Sequence, residues 1–123
     1  MTGLLFVCFG AAIGAPTRYL VDRAIQSRHD ALMPWGTMSV NVVGSLILGV
    51  LTGLAVNHEV PREVMLALGT GLCGALTTYS TFGYETIRLA EDGARMFSGL
   101  NMALTLILGL GAALAGYGIG IAL

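Results

Sequence analysis

The sequence predicts an all-α integral membrane protein, one domain of four transmembrane helices with the third helix broken, and three observations carry that prediction. Hydrophobic residues make up 55% of the 123 and charged residues only 11%, with a mean hydropathy of +0.80; a soluble domain carries roughly 25% charge. The apolar residues fall into four stretches, and the charges collect between them. Residues 69–82, GTGLCGALTTYSTF, then interrupt the third stretch with three glycines (Gly69, Gly71, Gly74) and a run of hydroxyl-bearing side chains (Thr77, Thr78, Tyr79, Ser80, Thr81). Such a run reads as a poor helix and a poor strand. At membrane depth it would free backbone N–H and C=O groups that lipid cannot satisfy, so it must be buried in protein or line a polar path.

The first span covers residues 4–21 and has no positive n-region and no A-x-A-like exit, which disfavours a cleaved signal peptide. The second, 36–56, holds no charge at all and is long enough to cross roughly 30 Å of hydrocarbon at about 1.5 Å per residue. The third, 64–87, contains the broken stretch, and the fourth, 97–123, is again uncharged. Charged connections lie at 22–30, 59–63 and 85–95, punctuated by Pro34, Pro61 and Gly93.

Composition also narrows the function. All six basic residues are arginines (Arg18, Arg23, Arg28, Arg62, Arg88, Arg95) and net charge is −1, so no basic tract offers itself to nucleic acid. The expected surroundings are a lipid bilayer. Cys8 and Cys73 lie in apolar stretches without CxxC spacing and read as packed thiols. His29 and His58 fall in polar connections and read as solvated.

Each span carries one stripe of small and polar residues at i, i+4 spacing: Gly10, Gly14, Arg18 and Asp22 on the first; Thr37, Asn41, Ser45, Gly49 and Gly53 on the second; Asn101, Thr105 and Gly109, continued by Gly116 and Gly120, on the fourth. The glycines read as packing ridges that let transmembrane helices approach closely. Asn41 asks for more, because a carboxamide inside an uncharged span is costly without partners, and the 77–81 cluster offers them. Two readings of Arg18 stay open: snorkelling to the headgroups, or a fixed charge in a vestibule that concentrates anions, loosened by Pro16 and partnered by Asp22.

A broken third helix would present two termini near the bilayer midplane, N–H groups suited to anions and carbonyls suited to cations. Tyr79 and Phe82, three apart, can turn the positive edges of their rings toward an anion. With the Asn41 amide and the Ser80 and Thr81 hydroxyls as donors, this describes a lane for a small, hard, hydrated anion.

At this point the residues resemble a known family. Arg18-Tyr19 after the Gly10/Gly14 ridge, GTMSVNVVGSLILG over 36–49 and GLCGALTTYSTFGYE over 71–85 together look like the Fluc/CrcB family of small fluoride ion channels, over the full length of the chain. The resemblance implies a four-helix subunit in an antiparallel, dual-topology homodimer with two pores, passive fluoride export from the cytoplasm across the cell membrane, and a central structural Na⁺. It places Asn41, Tyr79, Ser80, Phe82, Thr81 and Thr105 along the fluoride pore and Arg18 in a vestibule, and it gives the main-chain carbonyls of Gly74 and Thr77 to the Na⁺, once from each subunit. Here Tyr79 stands where the family usually has Phe, and Asn101 and Thr105 stand near positions where it often has Tyr and Ser.

If the termini and the second connection share one side of the membrane, that side carries Arg62 alone, against Arg23, Arg28, Arg88 and Arg95, with Arg18 close by, on the other. The positive-inside rule then favours one orientation, so the expected dimer is either a homodimer that tolerates the bias or a pair with an oppositely oriented relative. Two other classes are weighed. A proton-coupled multidrug or cation exporter needs a titratable carboxylate at depth, and the nearest, Glu85, sits at the end of the third span. An enzyme would need a base beside Ser80 or a threonine, and the sequence supplies none at depth.

Overall fold

Backbone polar groups in so apolar a chain have little to pair with except each other. The described residues, 2–28 and 32–123 of the computed structural model, are accordingly helical almost throughout, with no strand among them. His29 lies outside the described residues.

Helix α1 (Thr2–Arg28) runs well past the apolar span and keeps Asp22, Arg23 and Arg28 helical. Pro16 sits inside it without ending it, although the missing N–H deprives the carbonyl one turn back of its partner. The turn into α2 (Trp35–Asn57) is clasped by Gln26: its Oε1 accepts the Gly36 N–H (3.2 Å) and its Nε2 donates to the Met33 carbonyl (3.2 Å). Asn57 closes the other end of α2, donating to the Ile121 carbonyl (2.9 Å).

The 62–91 segment is built from four pieces. A short turn α3 (Arg62–Val64) follows Pro61, a π-helical stretch spans Met65–Cys73, α4 covers Gly74–Leu76, and α5 (Ser80–Glu91) resumes after a non-helical step at 77–79. The departure from helix is narrower than the sequence suggests. Gly69, Gly71 and Gly74 do not unwind the chain, because the π-helical stretch lies backbone against backbone on α1: a methyl added at Gly71 would stand 3.0 Å from the Gly10 Cα. Helix α5 ends in a Schellman turn on Gly93 (φ 85°), with the Ala94 N–H on the Leu89 carbonyl (2.8 Å). Helix α6 (Arg95–Ala122) completes the chain.

Helices α2 and α6 form the closest pair. Gly49 and Gly53 meet the α6 backbone at Ala113 and Tyr117, and Gly116 and Gly120 meet the α2 backbone at Leu46 and Val50, so the packing reading of these glycines holds. Helices α1, α2 and α6 are each long and apolar enough to cross a membrane. No single piece of 62–91 reaches that length, because the segment is divided.

Candidate functional site

The step at 77–79 leaves main-chain groups without helical partners, and two side chains, Asn41 and Thr78, take up three of them. Asn41, on α2, pairs with the Thr78 main chain in both directions: its Oδ1 accepts the Thr78 N–H (2.7 Å) and its Nδ2 donates to the Thr78 carbonyl (3.0 Å). This two-way pairing does for the opened chain what a neighbouring strand would do. Thr78 then caps α5, its Oγ1 accepting the Thr81 N–H (3.1 Å). Thr77, extended at φ −81° and ψ 159°, turns its hydroxyl back on the Cys73 carbonyl (2.8 Å).

Beside this step lies a groove of about 430 Å³, walled by α2, the π-helical stretch and α6. Of the residues expected along an ion path, Asn41, Tyr79, Phe82 and Thr105 line it, as do Gly74 and Thr77. Most of the wall is apolar, with Leu48, Leu106, Leu110 and Ala113 facing Ser45 and the threonines. The Tyr79 and Phe82 rings lie 6.0 Å apart between centroids at 53°. Phe82 is half-buried, whereas Tyr79 is 85% exposed.

Three expected residues stand elsewhere. Ser80 is exposed at the start of α5 and does not line the groove, and Thr81, half-buried, has its N–H committed to Thr78. Arg18 is half-buried on α1, away from the groove. Nor does it pair with Asp22, whose side chain packs against Gly36 at the start of α2; among the described residues the ion pair present is Arg88–Asp92 at 3.9 Å.

Two groups of polar contacts were not singled out in the sequence. Thr37, 2% exposed, donates to Glu85 Oε1 at 2.5 Å and ties α2 to α5. On the α5–α6 seam, Thr105 Oγ1 donates to Asn101 Oδ1 (3.4 Å), Asn101 Nδ2 donates to Thr86 Oγ1 (2.8 Å), and Thr86 Oγ1 donates to the Phe82 carbonyl (2.8 Å). Ser98 adds a bond to the Thr86 carbonyl (2.7 Å). The signal was periodicity: Thr37 is one turn before Asn41, and Thr86 is one turn after Phe82.

A family model described as CrcB-like protein, Camphor Resistance (CrcB), matches residues 5–117. The chain belongs to the CrcB family. Among curated relatives, this CrcB-family chain is 55% identical to "Fluoride-specific ion channel FluC 1" of Streptomyces avermitilis over 112 residues, 91% of this chain and 90% of that one. It is 54% identical to a protein of the same name from Frankia casuarinae, over 91% of both chains. It is also 43% identical to "Fluoride-specific ion channel FluC" of Shewanella woodyi, over 88% of this chain and 87% of the other. With its three apolar helices of crossing length, the CrcB-family chain is a multi-pass cell-membrane protein.

Proposed function

We propose that this chain is the subunit of a fluoride-selective ion channel through which fluoride leaves the cytoplasm passively, lowering its concentration there. The observation that carries the reading is the opened backbone at 77–79, held by Asn41 beside a groove that Tyr79, Phe82 and Thr105 line. Relatives over most of the chain bear the name of fluoride-specific ion channels, which supports the same reading and gives the exporter alternative none. On this view the chain moves an ion and leaves its bonds unchanged, so it is a channel and not an enzyme.

Fluoride sheds water only where donors replace it, and a formal positive charge at depth would hold it too tightly to leave. Asn41 uses one Nδ2 hydrogen on Thr78 and has a second to offer the groove. The ring edges of Tyr79 and Phe82 add weak positive potential without charge. The segment 62–91 is, in this reading, the third membrane crossing, a helix broken midway, and the chain is one transmembrane domain with crossings at about 4–21, 36–56, 64–87 and 97–123. Arg18 attracts anions to a vestibule.

The functional unit we propose is an antiparallel, dual-topology dimer. Support comes from the open groove and from Tyr79 and Ser80, which stand exposed on one chain and need a second to cover them. The partner is an identical chain or an oppositely oriented relative; a tag on the C-terminus reached from both sides of the membrane fits the homodimer, and reached from one side only rejects it. A structural Na⁺ at the dimer centre fits the residues present. The Thr78 N–H, which would close the helix on the Gly74 carbonyl, is turned to Asn41, and the Gly74 Cβ position is open. The carbonyls of Gly74 and Thr77 are thus hard oxygen donors of the kind such a cation takes.

The test is efflux from liposomes holding the purified chain, read with a fluoride electrode and with chloride as control. Fluoride should greatly outpace chloride; equal rates reject the assignment.

A further inference from the structure

We propose that Asn101 is a positioning residue that sets whether Thr105 presents a proton or a lone pair to the groove, by turning its side-chain amide; the inference rests on the fluoride-channel reading. Asn101 is 1% exposed and does not itself line the groove. Its amide stands between two hydroxyls, Thr105 on the groove side and Thr86 on the α5 side. With Nδ2 on Thr86, every donor in the chain points away from the groove: Thr105 to Asn101, Asn101 to Thr86, Thr86 to the Phe82 carbonyl. A threonine hydroxyl carries one hydrogen. Thr105, which lines the groove, therefore offers it oxygen lone pairs in this arrangement, and lone pairs repel an anion.

A half-turn of the Asn101 amide reverses the whole relay with the same partners. Nδ2 then donates to Thr105 Oγ1, Oδ1 accepts from Thr86 Oγ1, and the Thr105 hydrogen is released toward the groove. No protein group is orphaned by the change, since the Phe82 carbonyl sits inside α5, where the backbone amide one turn on also serves it. Three hydrogen bonds exist before the turn. Three exist after it, the third being Thr105 to the anion. Without the anion the second state is one hydrogen bond short and the first prevails; the anion shifts the balance by supplying the missing acceptor. An amide is suited to this work because its donor and its acceptor sit on two separate arms that a half-turn exchanges; a carboxylate at the same place has acceptors on both arms.

The experiment is a double-mutant cycle on fluoride efflux from liposomes, with Asn101→Leu, Thr105→Val and the pair, joined to the side-chain amide signals of ¹⁵N-asparagine-labelled wild type in micelles. Asn101→Leu leaves the Thr105 hydrogen to the carbonyl one turn back on its own helix, with no amide to turn it out. It should lower fluoride efflux about tenfold in the wild-type background and less than about twofold in the Thr105→Val background, because the amide acts through that hydroxyl. The Asn101 amide signal, recognised by its loss in Asn101→Leu, should move on adding fluoride, not on adding chloride. Equal losses in the two backgrounds, or an amide signal indifferent to fluoride, overturn the relay while wild-type efflux stands. If Asn101→Leu does not assemble, the wild-type signal in fluoride decides alone, its assignment taken from Asn41→Ala and Asn57→Ala. A wild-type chain that passes no fluoride overturns the channel reading itself, and the relay with it.

Discussion

The α2–α6 seam and the seams around the opened step at 77–79 join helices of similar apolarity by different means. Along α2–α6 the contact is backbone on backbone, made by Gly49, Gly53, Gly116 and Gly120, and its side-chain hydrogen bond, from Asn57 to Ile121, lies at the very end. Around the step the contacts are polar: Asn41 with Thr78, Thr37 with Glu85, and the Thr105–Asn101–Thr86 relay. The first kind is a fixed fit with no alternative partners. Contacts of the second kind can exchange one acceptor for another, and two of them reach the groove, through Asn41 with Thr78 and through Thr105.

Three substitutions sharpen or break this contrast. The largest effect is expected from Asn41→Ala, which orphans both the N–H and the C=O of Thr78 at roughly 1–3 kcal/mol for each group. Fluoride efflux should fall to background and the Thr78 amide should lose protection from hydrogen exchange, while gel filtration still shows an assembled protein; wild-type efflux would erase the distinction between the seams. Next is Gly116→Leu, whose added carbon would stand 3.0 Å from the Val50 backbone nitrogen. Overpacking of this kind costs about 1–3 kcal/mol. Thermal unfolding in detergent should shift down, with the fluoride-to-chloride ratio of the surviving protein unchanged. The smallest is Phe82→Ile, which keeps apolar bulk and removes a ring edge worth about 0.5–1.5 kcal/mol. Efflux should drop up to about tenfold at unaltered stability, and an unaltered efflux would remove the ring from the ion path.

The sequence made the permanent seam legible and the adaptable one only in part. Glycines at i, i+4 on two apolar helices have few uses besides close approach, so Gly49, Gly53, Gly116 and Gly120 could be read directly. That the 77–81 run would gather beside Asn41 was also readable, since a buried carboxamide needs partners. The extent of the helical interruption was not. Three glycines suggest unwinding, and only the nearness of α1 explains why Gly69–Leu76 stays wound, first as a π-helix and then as α. The donors of Thr105 and Thr81 were hidden for a related reason: a hydroxyl or amide can serve an ion or a neighbour, and spacing along the chain does not say which. Thr37 and Glu85, 48 positions apart, meet only once α2 and α5 are placed together.

The outstanding Tyr79 ring has a consequence for the living cell. In the homodimer proposed above, the phenol finds its cover on a second copy and the solitary chain is inactive, so output follows encounters between copies instead of their number. At low expression, doubling the gene dose should then raise fluoride tolerance about fourfold, and the response should become linear once nearly every copy has met its mate.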